Sequence, residues 1–211
     1  MKRLLRLASA VLGFAFVLAT PLAASASTQE RFSVAGSGAE AGFGSCSDLT
    51  LGGQICTGYR IGVSSQITKA DGTKSSETTL SIDIFTYSID SSGMVTFISE
   101  TAGFGVPSWS IDSRLMRASA TASFPVISCG VDSCVDGTVS VLASWTGQGD
   151  LLHDVSNFHF SKGPFSLNSH LNGNARVASA TATVNGNDVG ASLFAEMHNV
   201  KSGDIVICHM C

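Results

Sequence analysis

The sequence predicts an all-β protein, an antiparallel β-sandwich of roughly ten to twelve strands with disulfide-clipped hairpins. Three observations lead there. Apolar and polar residues alternate with period two through most of the chain. Turn dipeptides recur between the alternating runs, and no amphipathic helix is recognisable after the N-terminal segment. Composition agrees, because only 13% of the 211 residues are charged and glycine contributes 22, a balance that suits strands and turns better than helices.

The first segment stands apart. Lys2, Arg3 and Arg6 precede an apolar run ending near Ala19, and Ala24-Ser25-Ala26 has the small-residue pattern of a cleavage site. This reads as a secretory signal peptide over residues 1–26, too short in its apolar part to span a bilayer comfortably. The remaining residues, 27–211, are read as one domain, large enough for a sizeable core. Removing Lys2, Arg3 and Arg6 takes the formal charge from −4 to −7. An acidic surface without a basic run argues against nucleic acid and anionic lipid headgroups as partners. A membrane β-barrel would show similar alternation, but six cysteines and only two Trp and two Tyr for aromatic girdles argue against one.

Individual strands follow from the alternation. In TTLSIDIFTYSID (78–90), Leu80, Ile82 and Ile84 share one face and Phe85, Tyr87 and Ile89 the other, which suggests a bulge or burial on both sides. In TVSVLASW (138–145), Val139, Val141, Ala143 and Trp145 oppose Thr138, Ser140, Leu142 and Ser144. Turns are expected at Asp71-Gly72, Asp136-Gly137, Lys162-Gly163, Asn172-Gly173, Asn185-Gly186 and Ser202-Gly203. A phrase also recurs. Strands of small residues at 39–46, 119–129 and 177–184 each enter a hairpin and return with larger apolar residues.

Six cysteines in an exported chain point to disulfides. Cys46 and Cys56 bracket a loop containing Gly52-Gly53, and Cys129 and Cys134 bracket GVDS, so each pair can face across an antiparallel hairpin. The terminal CHMC places Cys208 and Cys211 at redox-motif spacing without the helix N-terminus that lowers a thiol pKa. A structural disulfide is the plainer reading, and a soft-metal site for copper(I) or zinc is the sharper one.

Three of the five histidines fall within HDVSNFHFSKGPFSLNSH (153–170). A hairpin turning at Ser161–Pro164 pairs Phe160 with Phe165 and Phe158 with Leu167 as a core face. The opposite, outer face then carries His153, Asn157, His159, Asn168 and His170. That pairing makes His153 and His170 diagonal neighbours at about 7–8 Å. The face is either a solvated polar surface or a ligand-binding one, and two imidazoles alone do not make a zinc site. Trp109 and Trp145 are either core indoles or sugar-stacking platforms. Asp150 and Asp154 lie about 13 Å apart along a strand, beyond the spacing of a glycosidase pair. No nucleophile-elbow, zincin, phosphate-loop or dinucleotide motif is present.

WTGQG at 145–149, the His159 hairpin and the small-residue strand after Arg176 together resemble exported bacterial all-β proteins of unassigned function. The resemblance covers about 145–207 and implies secretion and β-structure, with no activity or site residue attached. The expectation is a non-catalytic exported protein that binds an extracellular ligand or surface component, or builds, and that carries no cofactor. Its rivals are an extracellular hydrolase with an acid pair from distant strands, and a soft-metal-binding protein.

Overall fold

The computed structural model describes residues 28–49, 52–70 and 72–209. The expected signal peptide, Asp71 of the expected Asp71-Gly72 turn, and Cys211 lie outside the described residues. Among the described residues there are eleven strands and no helix. They are β1 (Thr28–Asp48), β2 (Gln54–Ala70), β3 (Thr73–Ile89), β4 (Val95–Gly105), β5 (Ser108–Ile111) and β6 (Arg117–Cys129). After them come β7 (Cys134–Gly147), β8 (Leu152–Lys162), β9 (Phe165–Val184), β10 (Asn187–Asp188) and β11 (Ser192–His209). Every pairing is antiparallel.

The two layers are opposite walls of one sheet. Pairing runs β9–β11–β1–β2–β3–β4–β6, and β7 joins β6 to β9 and closes the ring. Closure removes the edges that an open sandwich would leave there. The ring exists only where β4, β6 and β7 are present. Beyond it, the long strands continue as an open extension in which β8 takes the place of β7 beside β9.

The core follows from the alternation read in the sequence. Val139, Val141, Ala143 and Trp145 are buried, while Ser140 and Leu142 face out. The recurring small residues point inward. Ala118, Ala120, Ala143, Ala178, Ala180 and Ala182 make room for Trp145, Phe43, Leu80 and Met197 in one cluster. Trp145 is 1% exposed, which settles it as a core indole, and Trp109 packs half-buried against the same cluster. Leu115 enters that cluster from a loop at φ 55°. The Asp112 carboxylate holds the loop by accepting from the backbone N–H groups of Arg114 at 2.8 Å, Met116 at 3.0 Å and Arg117 at 2.6 Å.

Both expected clips are present. Cys46 faces Cys56 and Cys129 faces Cys134 across their hairpins, and each pair is a disulfide. Cys208 is also disulfide-bonded. The bulge anticipated near Phe85 exists as a register shift of β3 against β4 between Thr86 and Tyr87.

Several expected turns are not turns. Asn185-Gly186 does reverse the chain, with φ of 52° and 79°. Asp136-Gly137 lies inside β7 and Asn172-Gly173 inside β9, while Ser202-Gly203 sits at a register shift in β11. Gly173 serves close approach instead of reversal, since a Cβ there would strike the Asn199 carbonyl oxygen.

The histidine hairpin turns at Gly163-Pro164, with Gly163 at φ 60°. A glycine first in a two-residue loop is the primed-turn solution that matches strand twist. Lys162 therefore faces Phe165, and every expected partner moves by two positions: Phe160 faces Leu167, His159 faces Asn168 and Asn157 faces His170. Phe158 and Phe160 are not core residues; they are 43% and 44% exposed. The reason is topological, because β8 has a neighbour on one side only and lies beyond the closed ring.

Burial sets the expected stability effects. Phe43, 2% exposed, should cost about 3–5 kcal/mol as Phe43→Ala. Phe158→Ala in dilute protein should cost only about 1–2 kcal/mol, in proportion to the apolar surface it covers. Urea unfolding of both variants checks this, and equal losses would place Phe158 in a core it does not occupy here.

Candidate functional site

The face bearing the five polar candidates is set by β9. Its even-numbered residues line the core at Ala178, Ala180, Ala182 and Val184. Continued down the same strand without a register shift against β8, that face becomes Arg176, Asn174, Asn172, His170 and Asn168. The polar face is therefore the prolongation of the ring's inner wall, and it is Phe158 and Phe160 that point to the outer side. Among the described residues β7, β4 and β6 do not reach the extension, and His153, Asn157, His159, Asn168 and His170 are all exposed.

Two reciprocal pairs organise this face. His159 Nδ1 is hydrogen-bonded to Asn168 Oδ1, and His170 Nδ1 to Asn157 Oδ1, each between directly opposed residues. An amide oxygen only accepts, so with the asparagines in this orientation each Nδ1 is the donor. His159 and His170 are diagonal neighbours, about 7–8 Å apart. Opposite His170 on β11 stands Asp204. Together with Val206 they line a shallow depression of about 390 Å³.

His153 is not part of this group. It faces Asn174, four positions along β8 from Asn157, or about 13 Å. The expected His153–His170 pair is replaced by His159–His170. Among the described residues no three His, Cys, Asp or Glu side chains are grouped to hold a metal ion.

The outer wall of the ring carries a second cluster that sequence reading missed. Arg60 on β2 donates from Nε to Glu40 on β1. Asp83 on β3 faces Arg60, and burial pushes its carboxyl up against the pull of Arg60, with Glu100 and Glu40 adding to the rise. A groove of about 890 Å³ beside them is lined by Glu40, Arg60, Gln148, Val177, Phe194 and Glu196. The signal that could have found it is the glycine spacing of β1. A Cβ on Gly42 would strike the Phe194 ring, and one on Gly38 would lie 2.7 Å from His198 Nε2. These glycines let a phenyl and an imidazole lie flat on the wall.

His198 titrates abnormally in consequence. Burial lowers its pKa below the ordinary 6.5, with Glu40 and Asp154 pulling the other way. The unfolded chain therefore binds the proton first as pH falls. Stability is present above the ordinary histidine value and is lost as pH falls through it towards the folded value. The unfolding free energy should drop between about pH 8 and about pH 5, and should drop less in His198→Gln. Denaturation curves at the two pH values measure this, and equal slopes for both proteins would remove His198 as the source.

No helix among the described residues is long and apolar enough to cross a membrane. No protein-family model matches the chain, and no curated protein is similar to it.

Proposed function

We propose that this is an exported, non-catalytic protein that binds a polar extracellular ligand through the His159–His170 face of the β8–β9 hairpin. The observation that carries the reading is the reciprocal His–Asn pairing. It holds both imidazoles beside two amide groups and the Asp204 carboxylate. Such a set of closely spaced donors and acceptors on an open, shallow surface suits hydroxyl-rich polymers better than small molecules, which need an enclosing pocket. Disulfide-bonded cysteines support an oxidising compartment, and the basic–apolar–small N-terminus supports export.

The hydrolase reading has one observation in its favour, the raised carboxyl of Asp83 next to Glu40 on a distant strand. Arg60 on the intervening strand counts against it. The guanidinium already engages Glu40, and it stands on the strand between the two acids, directly opposite Asp83.

A pull-down of the purified chain on insoluble peptidoglycan, cellulose and chitin tests the proposal. The wild type should be retained by at least one polymer with no soluble sugar released. The folded His159→Ala/His170→Ala double variant should lose at least tenfold in retention. Retention unchanged in the double variant would overturn the site, and sugar release that disappears in Asp83→Asn would favour the hydrolase.

A further inference from the structure

The outer edge of β8 is the longest strand edge left open beside the polar face among the described residues. Among the described residues β8 pairs only with β9, and its eleven residues carry exposed Val155, Phe158 and Phe160. A long unpaired edge with apolar side chains is a template for strand addition unless it is blunted. The extension's other free edge is blunted: residues 73–79 of β3 read TKSSETT, with Lys74 and Glu77 and no large apolar residue.

The turn decides which backbone groups are offered. Lys162 and Phe165 flank a two-residue loop and form a hydrogen-bonded pair, so alternation leaves the N–H and C=O groups of residues 153, 155, 157, 159 and 161 pointing away from β9. Two such edges pair antiparallel only if odd residues face odd ones. We infer that β8 forms an isologous two-fold pair centred on Phe158, in which Lys162 faces Asp154 of the second copy and His159 faces its Asn157.

Side-chain complementarity selects this register. On the outer side, Lys162 and Asp154 bring opposite charges together at both ends, Phe160 meets Ser156, and the two Phe158 rings meet on the axis, where opposed side chains are closest. On the polar side, His159 opposite Asn157 repeats the His–Asn pairing already made within each hairpin. Centring on Asn157 would put Phe160 against Asp154 and Lys162 against Leu152. Centring on His159 would put Lys162 against Ser156 and Asp154 against Pro164 in the turn. Neither joins the opposite charges. The overlap from 154 to 162 is about 30 Å long, and it joins the two polar faces into one four-stranded surface. The pairing does not depend on the ligand proposed for that surface.

Sedimentation equilibrium of the mature chain, with near-ultraviolet circular dichroism to confirm folding, tests the inference. The wild type should be a dimer. Lys162→Asp should weaken dimerisation at least tenfold, and adding Asp154→Lys should restore it. Phe158→Cys should cross-link copies on mild oxidation, whereas Asn157→Cys, which has no counterpart of its own across the axis, should not. A monomer at all concentrations, a wild-type dimer indifferent to Lys162→Asp, or failure of the charge reversal to restore it would each overturn the register. Open-ended polymers would point instead to β8 meeting the β3 edge of the next copy.

Discussion

The unbroken run of β9 is the constraint on which the rest depends. Its twenty residues run along one edge first beside β8 and then beside β7, while β11 pairs with its first part and β10 with its end. Its alternation is anchored where Ala178, Ala180, Ala182 and Val184 enter the core, since a one-residue slip would expose all four. That anchor fixes the orientation of every residue down to Phe165. His170 and Asn168 share the inner face because the core fixes its direction ten residues away, with no core of their own to hold them. The register shift against β11 falls between Val200 and Ser202 on that strand, so the extra residue is in β11 and the alternation of β9 is unbroken.

Small residues do two different jobs on the two faces of this sheet. Inside the ring, alanines on β6, β7 and β9 leave volume for Trp145. Outside, Gly38 and Gly42 on β1 leave room for His198 and Phe194 to lie across the wall. The second arrangement covers the His198 imidazole, with Glu40 and Asp154 as the acids that act on it. A chain rich in Ser, Ala and Gly is thus built to let larger side chains approach its strands.

The faces were legible in the sequence, but the register was not. Cys46–Cys56 and Cys129–Cys134 could be read because short loops leave few ways for two cysteines to face each other. The polar set on the hairpin could be read because period two survives any even displacement: moving the turn to Gly163-Pro164 shifted each partner by two and kept His159, His170, Asn157 and Asn168 together. The Phe158 face was misjudged because alternation says which residues share a side, not whether a second layer covers it. Asn172-Gly173 misled as a turn because glycine marks close approach as well as reversal, and Asp136-Gly137 runs on inside β7 opposite Ile127 and Val126. The Glu40–Arg60–Asp83 row was invisible, since its members are about twenty residues apart and meet only through β1–β2–β3 pairing.

A net charge of −7 for the expected mature chain bears on how two such surfaces can meet. Like-charged copies repel, but at physiological ionic strength that repulsion is screened beyond about 8 Å. What decides association is therefore local, within the contact itself. Lys162 stands at the turn end of β8 and Asp154 near its other end, so an antiparallel approach places each cation beside an anion, while a parallel approach places like beside like. The aromatic residues between them add apolar surface that is half-exposed in a single copy. Charge at the ends thus sets direction and register, and the phenyl rings supply the area. The same edge with its charges removed would retain the apolar attraction without the direction, which is the condition under which strand edges aggregate.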